Sequence, residues 1–187
     1  MKSKFGGFTL TELMVVVALI GILSAVSITV SGIEWRRERV NAVASELAGW
    51  LQAVRRAAIK GSVTVPQSSC NVNISTGTIT AGSPAFATIT NPAVCGTTQS
   101  LQVTALSGSD SYTITTSGPT QFKFTPRGTV NSAGTNVQMT TPIVLAVSMN
   151  GAGPTRCVRI SPGLGLITIG SSNGLTSGAC DNFGVRF

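Results

Sequence analysis

The sequence contains no histidine and few charged residues. None of its 187 residues is histidine, and charged side chains make up 10% of the chain, against about 25% in typical soluble domains. The absence of histidine excludes Ser-His-Asp and Cys-His nucleophiles and histidine-ligated metal sites. The formal net charge is +7, but charged residues are few and 42% of the chain is hydrophobic, so a long disordered acidic or basic protein is also excluded. The composition predicts a protein that is not an enzyme and that holds no cofactor or metal.

A long uncharged run near the N-terminus predicts a membrane-inserted helix. No charged residue occurs between Glu12 and Glu34. A helix of the 21 residues Leu13–Ile33 would span roughly 31 Å, close to the thickness of the hydrocarbon core of a bilayer. The alternative is a secretory signal peptide, but its apolar stretch is shorter and ends at a cleavage site, whereas this run leads into a further helical pattern. We therefore expect a transmembrane helix over residues 8–33.

The next segment has the spacing of an amphipathic helix. Apolar residues recur at three- and four-residue steps, at Val40, Val43, Leu47, Leu51, Val54 and Ala58. Gly61 follows Lys60 and is suited to cap the C-terminus of the helix. Because no proline occurs from Phe8 to Gly61, we expect one continuous helix, with residues 34–61 forming its stem.

Residues 62–187 change to a β-sheet pattern. Short runs rich in β-branched residues are separated by Gly, Ser, Asn and Pro, as in antiparallel sheets joined by turns. The sequence thus predicts an α+β fold, in which a long N-terminal helix packs on a β-rich globular head. The predicted strands are Ser62–Val65, Asn71–Ile74, Thr78–Thr80, Thr88–Thr90, Leu101–Ala105, Tyr112–Thr116, Gln121–Thr125, Ile143–Met149, Arg156–Ile160 and Leu166–Ile169.

The residues before the apolar run resemble a known processing signal. A short basic leader ends at Gly7, the aromatic Phe8 follows, and the lone carboxylate of Glu12 lies just inside the apolar stretch. This arrangement resembles the class III signal of type IV pilins and type II secretion pseudopilins. The resemblance implies that prepilin peptidase removes residues 1–7 by cutting between Gly7 and Phe8, and that the new amino group of Phe8 is methylated.

The same resemblance implies a location and a set of partners. The N-terminus would be cytoplasmic and the head periplasmic, with a single pass through the bacterial inner membrane before entry into a pilus or pseudopilus. The partners would be other pilin or pseudopilin subunits, prepilin peptidase and the inner-membrane assembly platform. The positive-inside count by itself is ambiguous, because Lys2 and Lys4 precede the span and Arg36, Arg37 and Arg39 follow it.

Glu12 has two interpretations at the start of the apolar run. A carboxylate at the centre of a membrane helix costs about 2.5–3.5 kcal/mol, so such a group normally has a partner. In the first interpretation Glu12 lies at the interface, where its negative charge favours a helix N-terminus. In the second it pairs with the positively charged amine of Phe8 in a neighbouring subunit and sets the register between subunits. The family resemblance favours the second.

Two further segments resemble the GspH/FimT group of minor pilins and pseudopilins. They are the stem with the start of the head, residues 39–65, and the head segment Phe122–Val130. The resemblance implies a pilin fold and a low-abundance structural subunit, at or near the filament tip, that primes assembly. A type IV pilus and a type II secretion pseudopilus both remain open, as does an anchored domain that never polymerises.

Some members of this group bind DNA, so the basic residues of the head are candidate contacts. They are Lys123, Arg127, Arg156, Arg159 and Arg186. Five cations could neutralise a few phosphates and bind weakly in a salt-dependent way. DNA-binding members carry an arginine-rich stretch near the C-terminus, whereas the corresponding residues here, Ile160–Ile167, are apolar or uncharged. We favour ordinary solvated charges, and a DNA-binding subunit at the pilus tip is the alternative.

All four cysteines lie in the head, which favours disulfides over a metal site. No pair has the Cys-x-x-Cys spacing, and no histidine could complete a zinc site. A head on the outer side of the membrane lies in an oxidising compartment, where disulfides form. Three pairings are open for Cys70, Cys95, Cys157 and Cys180. We favour Cys70–Cys95 with Cys157–Cys180, because these pairs close local loops.

Overall fold

The computed structural model describes residues 9–64, 69–80, 83, 85–91, 95, 100–101, 110–172, 180 and 182–183, without the side chains of residues 26–33, 62–64 and 152. The chain divides into two compact units, Met1–Arg36 and Arg37–Phe187. Helix α1 (Leu10–Thr64) contributes to both units, whereas the described strands all lie in the second.

Helix α1 is continuous, as the lack of proline predicted, but it ends later than expected. It passes through Gly61 to Thr64, so the predicted cap at Gly61 is wrong. The predicted strand Ser62–Val65 is wrong for its first three residues, and Val65 lies outside the described residues. Glycine inside a helix costs only about 1 kcal/mol, whereas the residue before a proline is disfavoured in the α conformation. Pro66 therefore predicts the end of the helix better than Gly61.

The described strands form two antiparallel sheets. Sheet A has the order β4-β3-β1-β6-β7, and sheet B has the order β11-β10-β9-β8-β5-β2. The strands are β1 Cys70–Ile74, β2 Gly77–Thr80, β3 Ala87–Ile89, β4 Ser100–Leu101, β5 Ser111–Ser117, β6 Gln121–Phe124, β7 Val130–Ser132, β8 Ile143–Met149, β9 Ala152–Ile160, β10 Ile167–Ser172 and β11 Asn182–Phe183.

Most predicted strands are present, with limits that differ by at most four residues. Strands β7 and β11 were not predicted, because runs of three and two residues are too short to have a recognisable alternation. Of the predicted strand Leu101–Ala105, Leu101 belongs to β4, and residues 102–105 lie outside the described residues.

One hydrophobic core joins the C-terminal half of helix α1 to both sheets. The helix buries the predicted apolar stripe, each member of which is at most 1% exposed. The stripe shares its core with Val72 and Ile74 of sheet A and with Ile114 and Leu145 of sheet B. Since each buried Val or Leu contributes about 1.5–3 kcal/mol, the stem is a structural part of the head.

Strand β8 is covered on both faces, which explains why its residues from Ile143 to Val147 are all apolar. All seven of its residues are buried. Alternate residues from Ile143 to Met149 join the main core, whereas Val144 and Ala146 join a second cluster with Cys157, Cys180 and the partly buried Phe183. Cys180 and Phe183 thus pack on the outer face of sheet B.

Candidate functional site

Helix α1 begins with a reciprocal hydrogen-bonded cap. The backbone N–H and the hydroxyl of Thr9 donate to Glu12 Oε2 at 3.1 and 3.0 Å. In return, the N–H of Glu12 donates to the Thr9 hydroxyl at 3.4 Å. This arrangement is a capping box, which satisfies donors that a helix N-terminus otherwise leaves unpaired. Glu12 therefore has a local structural role within its own chain, and Thr-x-x-Glu is the signal in the sequence that predicts it.

The N-terminal part of helix α1 is apolar on all faces. Its large hydrophobic side chains from Leu10 to Leu23 are 47–74% exposed in the single chain. A helix that is hydrophobic all round is normally buried in a membrane or among other helices. In soluble proteins, a continuous exposed patch of large apolar side chains marks a contact site. The segment is therefore suited to contact lipid or the helices of other subunits.

The residues predicted to be processed lie outside the described residues. These are Gly7 and Phe8, and the side chains of residues 26–33 in the predicted membrane span are also outside. Within the part of the chain that the structure describes, no helix has a stretch both long enough and apolar enough to cross a membrane.

Two of the predicted basic candidates, Lys123 and Arg127, lie together in one groove. Lys123 belongs to β6, and Arg127 belongs to the turn between β6 and β7. The groove has a volume of about 660 Å³. It is lined by Ser69, Lys123, Thr125, Pro126, Arg127, Thr129, Asn131, Asn136 and Gln138. We call it the basic groove.

The other basic candidates lie elsewhere. Arg156 in β9 is only 7% exposed, and its Nε donates to Asn41 Oδ1 of helix α1. Burial lowers the pKa of Arg156, nearby Arg37 lowers it further, and Glu38 opposes both. Arg156 thus joins the helix to sheet B and presents little surface to a ligand.

Arg159 is not among the residues that line the basic groove. The Arg159 guanidinium lies 5.2 Å from the centre of the Phe183 ring, in a cation–π contact. Arg186 lies outside the described residues. Of the five candidates predicted from the sequence, the structure therefore brings only Lys123 and Arg127 together among its described residues.

The cysteines form the two disulfides that the sequence favoured. Cys70 pairs with Cys95, and Cys157 pairs with Cys180, with Cα–Cα distances of 5.6 and 6.1 Å. These distances lie within the usual range for disulfides. Among the described residues, no three His, Cys, Asp or Glu side chains form a group that could hold a metal ion.

Two family models match the chain. The prokaryotic N-terminal methylation motif matches residues 2–28. The model of the type II transport protein GspH matches residues 43–164, well over half of the chain. The chain belongs to the GspH family. Comparisons with curated proteins and with solved structures find no match.

Membership of the GspH family confirms that the chain is a pilin or pseudopilin of the GspH type. The long helix packed on antiparallel sheets agrees with the pilin fold. The family is structural and non-enzymatic. Membership also implies anchoring in the inner membrane through the N-terminal region, and interaction with other pseudopilins and with the secretion or pilus machinery.

The GspH match includes a helix residue whose role was not predicted from the sequence. Arg55 Nε donates to the carbonyl of Gly128 at 3.2 Å, and its Nη2 donates to the carbonyl of Leu164 at 2.9 Å. A Cβ at Gly165 would overlap the Gly128 carbonyl oxygen, so glycine is needed where these turns approach. Arg55 thus fastens helix α1 to the turn that bounds the basic groove.

Proposed function

We propose that this chain is a minor subunit of a type II secretion pseudopilus or type IV pilus, processed at its N-terminus before it joins or primes the filament. Prepilin peptidase cuts between Gly7 and Phe8 on the cytoplasmic side of the inner membrane, and the amine of Phe8 is methylated. The head lies in the periplasm. The inner-membrane assembly platform then moves the subunit from the membrane into the filament.

The exposed apolar segment of helix α1 carries this proposal. Large hydrophobic residues from Leu10 to Leu23 cover all faces of the helix, so the segment is stable only in an apolar environment. Lipid supplies that environment before assembly, and the helices of neighbouring subunits supply it in the filament. Transfer between the two keeps the apolar surface away from water throughout.

A charge pair between subunits sets their register. In the filament, the carboxylate of Glu12 pairs with the methylated amine of Phe8 in a neighbouring subunit. The capping box uses Oε2 of Glu12, and no described residue donates to Oε1, which can accept a bond from a second donor. Because an isolated charge in an apolar core is costly, the pair favours one axial position of the subunit over others.

Glu12→Gln separates the charge pair from the capping box, because glutamine can also cap a helix. We expect Glu12→Gln to be processed normally but to enter filaments at least about tenfold less, since an unpaired charge in the apolar core costs about 2.5–3.5 kcal/mol. Thr9→Ala is the matched control, because it removes the hydroxyl of the cap and keeps the carboxylate. The measurement is the amount of each variant in sheared filaments relative to the membrane fraction.

The two variants distinguish the two roles of Glu12. Normal incorporation of Glu12→Gln, with loss in Thr9→Ala, would assign Glu12 to capping and refute the charge pair. The opposite result supports the pair.

Processing is tested at Gly7. A bulky residue in Gly7→Val should block cleavage, whereas Gly6→Val should allow it, because only Gly7 adjoins the cut. The intact mass and N-terminal sequence of the wild-type protein should report loss of residues 1–7 and one added methyl group on Phe8. A mature N-terminus at any other residue would refute the assignment.

A further inference from the structure

The outer face of sheet A carries a row of polar side chains at the basic groove. In the sheet register, Lys123 of β6 lies opposite Asn131 of β7, and Asn131 in turn pairs with Gln138. Phe122 and Phe124, on either side of Lys123, are fully buried. Because side chains alternate along a strand, Lys123 faces away from the core, and the row crosses the strands at about 4.8 Å per strand.

The groove is rich in cations and in neutral hydrogen-bonding groups. Its lining contains Lys123 and Arg127, and in the part of the chain that the structure describes it contains no carboxylate. The Lys123 ammonium donates to Asn136 Oδ1 at 2.8 Å, which is a neutral acceptor. The remaining polar lining consists of three hydroxyls and three amides, from Ser69, Thr125, Thr129, Asn131, Asn136 and Gln138.

The walls of the groove are held in place by bonds that do not involve a ligand. The hydroxyls of Thr125 and Thr129 are 2.7 Å apart, and the Thr125 N–H donates to the Thr129 carbonyl at 2.9 Å. Gly128, between them, has a φ of 77° and is fastened by Arg55. A preorganised site loses little conformational entropy when a ligand binds.

Asn131 forms a fixed part of the groove lining. This side chain is 9% exposed, and its amide nitrogen donates to the carbonyl of Asn136 at 2.8 Å. That bond fixes the orientation of the amide. Its Oδ1 is buried and has no donor among the described residues.

We propose that the basic groove binds an acidic oligosaccharide, with Lys123 and Arg127 contacting its carboxylates and the amides contacting its hydroxyls. This binding site goes beyond the proposed assembly function and does not depend on it.

Other occupants fit the groove less well. The described residues that line it include no aromatic ring, and they therefore offer no stacking surface of the kind on which single-stranded nucleic acids bind. Two cations are few for binding duplex DNA, since a protein that binds it can make about 6–10 contacts with its phosphates. A second copy of this chain is poor in anions, because its residues 62–187 contain only Asp110 and Asp181 as acidic residues.

The test uses the full chain in a non-ionic detergent and a fluorescein-labelled oligogalacturonate, with binding measured by fluorescence anisotropy at low salt. Lys123→Gln combined with Arg127→Gln should weaken binding at least about tenfold, equivalent to about 1.4 kcal/mol. Arg56→Gln combined with Lys60→Gln is the matched control, because it removes the same charge from an exposed part of helix α1. The control should change binding less than about threefold, about 0.65 kcal/mol.

Arg127→Gln alone provides a second measurement at an exposed turn position, where the fold is not at risk. It should weaken binding, and circular dichroism should be unchanged. Equal losses of affinity in the groove and control double variants would show that binding depends only on net charge, and would overturn the proposal. So would absence of binding to the wild-type chain, or tighter binding of polyphosphate or duplex DNA than of oligogalacturonate. A neutral galactose oligomer should not compete.

Discussion

At the scale of single residues, Arg55 has two partners far away in the sequence. Its hydrogen bonds to Gly128 and Leu164 span 73 and 109 positions. A hydrogen bond that involves a charged group contributes about 1.5–3 kcal/mol to the free energy of unfolding when it is buried, and less when solvent reaches it. Lysine has one nitrogen and cannot replace the fork of a guanidinium.

We expect Arg55→Ala to lower the free energy of unfolding by about 1–3 kcal/mol. Arg56→Ala is the control, because Arg56 is exposed and, among the described residues, donates only to the carbonyl of Gln52 in its own helix. Its effect should stay within about 0.5 kcal/mol. Urea unfolding of both variants makes the measurement, and equal effects would contradict the role of Arg55.

Tyr112 should make stability depend on alkaline pH. It is the only tyrosine, it is fully buried, and its hydroxyl has no partner among the described residues. Burial raises its pKa, Arg39 partly opposes this shift, and Asp110 adds to it. An unfolded tyrosine titrates near pH ~10. The unfolded state therefore loses its proton first, and stability declines as pH rises from that value through the folded pKa.

Tyr112→Phe should abolish this alkaline decline. It should also leave the free energy of unfolding at neutral pH unchanged or raise it by up to about 1 kcal/mol, because a buried hydroxyl without a partner is itself unfavourable. Tyrosinate absorbance gives the folded pKa directly, since no other tyrosine contributes. Titration of the folded chain at the pH of an unfolded tyrosine would contradict the prediction.

At the scale of elements, the Cys157–Cys180 disulfide holds Cys180 and the nearby Phe183 against the outer face of sheet B. Strand β11 pairs with β10 at only two positions. Gly170 of β10 allows this approach, because a Cβ there would meet the Phe183 ring at 2.7 Å. Cys180 and Phe183 pack against Val144 and Ala146 of β8. The disulfide therefore stabilises the folded state in two ways, because it closes a loop and also keeps an apolar surface out of water.

Replacing Cys157 and Cys180 with alanine should lower the free energy of unfolding by about 3 kcal/mol. The Cys70/Cys95 double variant is the matched control, since its sequence separation of 25 is close to 23. Only the Cys157/Cys180 variant should speed hydrogen exchange at β10 and β11. Equal exchange in both would contradict this local packing, and peptide mapping that links Cys70 to Cys157 would refute the pairing.

At the scale of the whole molecule, the second compact unit has a core of its own. The first core residue is Val40, and no described core residue precedes Arg37. We expect a fragment of residues 37–187 to fold, to unfold in one cooperative transition and to retain both disulfides. Thermal unfolding followed by circular dichroism makes the measurement. A fragment without a cooperative transition would show that the preceding residues are needed for the head.

Much of this architecture follows from local sequence. The uncharged run and the absence of proline predicted helix α1, and three- and four-residue spacing predicted its buried stripe. The Asn150-Gly151 turn between β8 and β9, with positive φ at both residues, is a common signal for a tight hairpin. The leader motif predicted the family. Each of these features depends on residues only a few positions apart, so no long-range contact is needed to recognise it.

The tertiary structure decided which charged residues can meet a ligand. The sequence treated Lys123, Arg127 and Arg156 alike, yet packing buries Arg156 against helix α1 and leaves the other two in one groove. The hydrogen bonds of Arg55 to Gly128 and Leu164 also join residues far apart in sequence. So does the packing of Cys180 and Phe183 against β8. Local spacing sets the period of a helix or strand and therefore predicts the elements, and the short leader motif predicts the family. The partners of a side chain depend on how the finished elements pack, which that spacing does not encode.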